Sequence, residues 1–231
     1  MDECSLLTYL SNNLINGKGN YPCTNTTLPC TPNAGLTKFA FQTGKKYRMR
    51  FINPSSDALQ KISIDNHTFT VIAYDFTPIQ PIQTDLITLA IGQRADVIVQ
   101  AVGSPTGSYW FRSTLAGGAN GCSLPDGISP NAMAVISYQN ANVNTVPTTT
   151  SNIDPGRLTT CANDALNSTT PLFARNTNIT GELLTQTFNI DFINNGTNFL
   201  WTVNNVSARV DYNVAQLAQA VQGTLNPPAD W

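Results

Sequence analysis

The groups in this chain that could do chemistry are few, and one of them is alone. His67 is the single histidine among 231 residues, accompanied by five cysteines (Cys4, Cys23, Cys30, Cys122 and Cys161). One imidazole cannot complete a histidine-based metal site, and no Cys-x-x-Cys pair is present to hold zinc. As a base, His67 would need a partner Ser or Cys. Its setting, Asp65-Asn66-His67-Thr68 at a turn between two strand patterns, carries no nucleophile motif. The expectation is therefore a structural histidine, hydrogen-bonded in or near the core. Gly17-Lys18-Gly19 lacks the third glycine and the following helix of a phosphate loop. Asp57 lies in the polar loop Asn53-Pro54-Ser55-Ser56-Asp57-Ala58, where a carboxylate commonly caps its own turn. Arg94 and Asp96 are expected to pair near a strand end, and Arg48 and Arg50 to share one face as structural or interdomain charges. Tyr109, Trp110 and Trp201 read as core aromatics, with sugar stacking the minor alternative.

β-Structure must position these groups. Residues 38–42, 46–52, 59–64, 68–73, 85–91, 96–102, 108–113 and 132–138 are rich in Val, Ile, Thr, Phe and Tyr. Several alternate apolar with polar, as in Tyr47-Arg48-Met49-Arg50-Phe51. Turn signals separate them, among them Thr43-Gly44, Asn53-Pro54, Asp65-Asn66, Gly92-Gln93 and Pro105-Thr106-Gly107. This spacing predicts an all-β sandwich or barrel over residues 12–140. Residues 141–182 turn to Thr, Asn, Pro and Ala and read as a linker that crosses a surface, anchored by Cys161. A second β-unit fills 183–231, with strands at 184–193 and 199–203, a turn at Asn194-Asn195-Gly196 and a short helix over 214–221. Two strands and a helical turn are too little for a domain, so this unit reads as truncated.

Composition removes several function classes. The net charge of −2 argues against nucleic acid as a partner, and no run of ~20 apolar residues is present to span a membrane. Charged residues are only 11%, against ~25% in an ordinary soluble domain. With sequons at Asn25, Asn66, Asn167, Asn178, Asn195 and Asn205, that balance points to a secreted, glycosylated β-protein. The start does not resemble a signal peptide: Met1-Asp2-Glu3-Cys4 is acidic and residues 5–10 are too short for its apolar core. Residues 1–11 read as an unmatched leader, as if the natural start were missing or a mature product had received a new Met. Cys23 and Cys30 flank a polar loop and suit a local disulfide; Cys122 and Cys161 bracket an irregular stretch that a bond would tie down, leaving Cys4 unpaired. Five reduced thiols are the alternative.

Against this background several segments resemble the laccase-type multicopper oxidases, in their ascomycete-like form. Asn13-Leu14-Ile15-Asn16-Gly17 is similar to the opening strand of that family's middle cupredoxin domain. Gly44-Lys45-Lys46-Tyr47-Arg48-Met49-Arg50-Phe51-Ile52-Asn53 is similar to its next strand. Ile64-Asp65-Asn66-His67-Thr68-Phe69-Thr70-Val71-Ile72-Ala73 and Ile91-Gly92-Gln93-Arg94-Ala95-Asp96-Val97 resemble its most characteristic segments. Ser108-Tyr109-Trp110-Phe111, with Cys122 beyond, continues the order, and Leu200-Trp201-Thr202-Val203-Asn204 resembles the first hairpin of the third domain.

The resemblance covers about residues 12–231 and implies a cupredoxin-like Greek-key fold. It further implies a parent enzyme that oxidises phenols by one electron and reduces dioxygen to water at copper. The His-x-His-Gly-like motifs of the first domain and the His-Cys-His motif of the third are not in this sequence. Copper is thus expected in the complete parent and not in this chain, whose partners would be flanking cupredoxin domains. By the same resemblance Asp57 matches the acid that hydrogen-bonds the phenol hydroxyl and takes its proton. Expressed alone, the chain is expected to be inactive. Two rival readings stand beside this one. The first is a non-enzymatic secreted β-sandwich that binds a protein or glycan, and it would need an exposed aromatic or apolar patch. The second is a metal-free glycoside hydrolase, and no pair of carboxylates stands out to support it.

Overall fold

In the computed structural model the residues described are 13–20, 23, 30, 31, 34–55, 59–117, 122, 131–174, 184–207 and 213–226. Two compact units divide the chain, Met1–Arg175 and Asn176–Trp231.

Nine strands build the first unit: β1 (Lys38–Phe41), β2 (Lys46–Ile52), β3 (Gln60–Ile64), β4 (Phe69–Tyr74), β5 (Thr77–Thr84), β6 (Ile87–Leu89), β7 (Arg94–Gln100), β8 (Ser108–Leu115) and β9 (Asn131–Tyr138). They form a five-stranded sheet in the order β1-β9-β8-β3-β6 and a four-stranded sheet in the order β2-β7-β4-β5. All pairings are antiparallel except β1 with β9. Alternation decides which side chains enter the sandwich. In β7, Ala95, Val97 and Val99 are buried while Arg94, Asp96, Ile98 and Gln100 are half-buried on the other face. Phe69 and Val71 join them from β4, and Ile62, Ile64, Ile87, Phe111, Ala134 and Ile136 face them from the five-stranded sheet.

β5 is the strand the sequence pattern does not announce. Its text, Thr-Pro-Ile-Gln-Pro-Ile-Gln-Thr, holds two prolines that cannot donate to a ladder. An edge position resolves the conflict, because β5 pairs only with β4. The β4–β5 turn is tight: Asp75 and Phe76 both take positive φ, at 46° and 69°.

β3 is buried on both faces, as is the short β6 beside it. Its inner face meets the core; its outer face lies beneath the segment after β9. That segment carries a short helix α1 (Pro155–Thr159) and a 3₁₀ turn at Leu166–Ser168, and its Ile153 is buried. It fastens to the sandwich at many points. Lys61 Nζ donates to the Ala162 carbonyl and to Thr88 Oγ1. The Thr88 amide donates to Asp164, Arg157 pairs with Asp85, and Gln80 and Leu172 extend the β5 edge through bonds with Thr170 and Pro78. Residues 141–174 thus cover the β5 and β6 edges that would otherwise stay open.

The second unit contains an antiparallel hairpin, β10 (Ile190–Asn194) with β11 (Phe199–Val203), and helix α2 (Gln216–Gln222), which ends at Gly223 in the left-handed conformation. Here Trp201 departs from the expected core aromatic. It is 66% exposed, with the Phe192 ring 4.8 Å away.

Candidate functional site

Asp57 itself lies outside the described residues, but both roots of its loop are visible and firmly held. At the leading root Asn53 is buried. Its Nδ2 donates to the Leu89 carbonyl, and its Oδ1 accepts from the Ser55 amide and hydroxyl. Its backbone pairs with Gln93 and Gly92 across the strand ends. At the trailing root the Leu59 carbonyl accepts from Ala116, and buried Gln60 exchanges hydrogen bonds with Asn13 while accepting from Ser113 Oγ at 2.8 Å.

Next to the leading root runs a groove of about 960 Å³. Phe39, Phe41, Met49, Phe51 and Phe111 line it, and the loop's Asn53, Pro54 and Ser55 line one end. Its size falls within the range of small-molecule clefts.

His67 is where the sequence placed it, and the structure explains its role. It is 3% exposed. Nδ1 lies 2.8 Å from the Asp65 carbonyl oxygen, which can only accept, so Nδ1 carries the proton. Nε2 then accepts from the Tyr138 hydroxyl at 2.7 Å. That hydroxyl oxygen in turn accepts from the Gly103 amide at 2.9 Å. A side chain at position 103 would not fit, since its Cβ would stand 2.6 Å from the Tyr138 ring. Burial pushes the His67 pKa below the ordinary imidazole value, and the hydrogen bond and charge of Asp65 oppose it. Burial pushes the Tyr138 phenol up. Both ring nitrogens are used, the imidazole is neutral, and the chain of donors ends inside the protein.

Asp65 holds a second function of the same turn. It is 1% exposed and accepts from Arg112 Nε and Nη2 at 2.8 Å each, and from Thr149 Oγ1 at 2.7 Å. Arg112 also donates to the Thr149 carbonyl. A buried carboxylate with a two-pronged guanidinium thereby ties the segment after β9 to the β3–β4 turn. No spacing rule in the sequence links positions 65, 112 and 149.

The other sequence candidates divide as follows. Cys23–Cys30 and Cys122–Cys161 are bonded as expected, with Cα separations of 5.7 and 5.4 Å; Cys4 lies outside the described residues. Asn66, Asn167, Asn195 and Asn205 are exposed, and Asn25 and Asn178 lie outside the described residues. Arg94 and Asp96 do not pair with each other. They are neighbours but one on β7, and each finds a nearer partner across the sheet: Arg94 binds Asp75 at 2.9 Å, and Asp96 binds Arg48, with Arg50 at 3.5 Å. Gly17 sits at a tight turn closed by Ile15 and Lys18, without the helix a phosphate loop needs. Tyr109 and Trp110 are half-buried on β8.

These residues do not make a copper site. A type 1 copper centre needs two imidazoles and a thiolate. Here the one imidazole is committed at both nitrogens, and four thiols are locked in disulfides. Among the described residues no three His, Cys, Asp or Glu side chains converge.

The comparisons with known proteins agree with this geometry. The multicopper oxidase family model matches residues 7–141, more than half of the chain. Laccase-2 of Podospora anserina is 37% identical over 205 residues, covering 85% of this chain and 31% of that protein. The laccase of Neurospora crassa is 32% identical over 223 residues, covering 94% of this chain and 32% of that one. Among solved structures the Botrytis aclada laccase superposes with a TM-score of 0.69 at 30% identity, covering 96% of this chain and 39% of that structure. The sandwich is thus a cupredoxin-like fold, and the chain belongs to the multicopper oxidase family, in its laccase-type branch. It spans about a third of the length of the curated relatives it matches.

Proposed function

We propose that residues 12–140 act as the middle cupredoxin domain of a laccase-type phenol oxidase and that 183–231 begin its third domain, with 141–182 connecting them. One observation carries this reading: laccases match 85–94% of the chain, yet the chain's only histidine is sealed between Asp65 and Tyr138. Middle-domain work remains, namely docking to flanking cupredoxin domains and lending a wall to the substrate pocket. The copper that removes the electron is held by the flanking domains in this reading. The chain's own contribution to the reaction is Asp57, whose carboxylate accepts the hydrogen bond of a phenol hydroxyl and takes its proton as the phenol is oxidised. The proton's destination matters because a phenol loses an electron far more readily when its proton leaves with it. The pinned loop roots at Asn53 and Gln60 support that assignment. A secreted, glycosylated parent accords with two disulfides and exposed sequons.

A graft tests the reading. Residues 12–182 replace the matching segment of Podospora anserina Laccase-2, and phenol oxidation is followed by dioxygen uptake. The graft is expected to oxidise phenols, and Asp57→Asn to lower kcat/KM ~100-fold, within the range for loss of a proton acceptor. A folded, copper-loaded graft with no activity, or full activity in Asp57→Asn, contradicts it.

A further inference from the structure

The Tyr138–His67 bond sets an acid against a base that is ready to receive its proton. The phenol oxygen lies 2.7 Å from Nε2, the ring nitrogen that carries no proton, and both side chains are buried. Burial lowers the imidazole pKa and raises that of the phenol, so at neutral pH the proton rests on Tyr138 and the Nε2 lone pair is kept. The Gly103 amide donates to the same phenol oxygen at 2.9 Å, and the close approach of Gly103 to the ring fixes its place. A phenol with a waiting proton acceptor loses an electron far more readily than one without. The charge that would form on the imidazole is also met. Nδ1 is held by the Asp65 carbonyl, and the Asp65 carboxylate, itself paired with Arg112, favours the protonated ring.

Aromatic rings join this pair to the outside. Half-buried Tyr109 has its ring centre 5.6 Å from that of Tyr138 and 4.9 Å from that of His67, and its hydroxyl accepts from the exposed Ser104 amide. A second line of rings runs through Phe41, 6.0 Å from Tyr138, which stacks on half-buried Tyr47 at 4.2 Å. Tyr109 is the shorter way out, since it touches both members of the pair.

We propose that Tyr138 is a redox-active tyrosine, which gives one electron through Tyr109 to a strong one-electron oxidant such as an electron-poor phenoxyl radical, while its hydroxyl proton moves onto His67 Nε2. The oxidant becomes the phenolate, Tyr138 a neutral tyrosyl radical, and His67 an imidazolium. An electron returned by a one-electron reductant of the ascorbate class draws the proton back to the phenol oxygen and restores the starting state. Tyr138 is only 2% exposed, so its radical cannot couple with a second one as a surface tyrosyl does. The pair thus takes oxidising equivalents from the surface into a protected place. It needs neither Asp57 nor copper and stands apart from the function proposed above.

The test oxidises the full chain with flash-generated ruthenium(III) tris-bipyridine and reads freeze-trapped samples by pulsed electron paramagnetic resonance. His67 is the only histidine, so histidine carrying the heavy nitrogen isotope marks this one imidazole and locates the radical without any substitution. A persistent neutral tyrosyl signal is expected, coupled to the labelled nitrogen and to one exchangeable proton whose coupling vanishes in heavy water. Tyr138→Phe should lose that signal, with hydrogen exchange in β7 showing that the variant is folded. Tyr109→Phe should keep the signal and delay its rise. The absence of a tyrosyl signal in the wild type, a tyrosyl without coupling to the labelled nitrogen, survival of the coupled signal in Tyr138→Phe, or an unchanged rise in Tyr109→Phe overturns the proposal.

Discussion

Tyr138→Phe removes one oxygen and tests the reading of His67 directly. In the native protein that hydroxyl donates to His67 Nε2 and accepts from the Gly103 amide, and Tyr138 is 2% exposed. The phenyl ring keeps the shape, so no cavity opens. What remains is a buried amide without an acceptor and an imidazole nitrogen without a donor. At about 1–2 kcal/mol for each orphaned group, the loss should be about 2–4 kcal/mol, a large part of the 5–15 kcal/mol of a typical domain. Tyr109→Phe is the control, because its hydroxyl only accepts a 3.2 Å bond from the exposed Ser104 amide. That change should cost less than about 1 kcal/mol. The assay is native-state hydrogen exchange of the peptide spanning β7, whose Val97 and Val99 are fully buried, so the second unit does not enter the reading. Protection equal to wild type in Tyr138→Phe would refute the closed relay. The same assay reads pH. The His67 pKa is lowered on folding, so the unfolded chain takes up a proton as pH falls through ~6.5 while the native one does not. Stability is therefore full above that value and declines below it, by at most ~1.4 kcal/mol per pH unit, until the folded imidazole also titrates.

Asp65→Asn leaves the half-buried Arg112 guanidinium without its carboxylate and should cost about 3 kcal/mol, with faster exchange in residues 149–153 as the local sign. Cys161→Ser opens a loop of 39 residues and should lower stability by up to about 4 kcal/mol on a chain-entropy basis, measured by urea unfolding. Phe76→Gly should stabilise the first unit by about 0.5 kcal/mol, seen as a small rise in Tm. Glycine relieves the φ of 69°, which outweighs the loss of the Arg94 guanidinium lying 4.5 Å over the ring.

Strand periodicity made most of the sandwich legible, because inward residues such as Val97 and Val99 alternate with outward ones. β5 escaped because proline carries a local signal against strands, and only the edge position, a property of the whole sheet, permits it. Trp201 misled for the converse reason. An aromatic in a strand pattern reads as core, yet Trp201 stands exposed on its hairpin. His67 was legible as a structural residue by elimination, since no second imidazole exists. Its partner Tyr138, 71 positions away, was not. The Asp65–Arg112–Thr149 tie was equally hidden, as contacts between strands and a distant segment have no repeat to betray them. For charged pairs the nearest residue in sequence was the wrong guess. Arg94 and Asp96 lie on one strand and look outward, so their partners come from the β4–β5 turn and from β2.

The central claim is that this chain works as the middle of a laccase. Sequencing the native transcript on both sides of the segment tests it most directly. The account predicts one open reading frame that runs upstream into His-x-His motifs and downstream into a His-Cys-His motif. A transcript bounded near Met1 and Trp231, translated into a stable protein of this length, would contradict it and leave partner binding as the leading role.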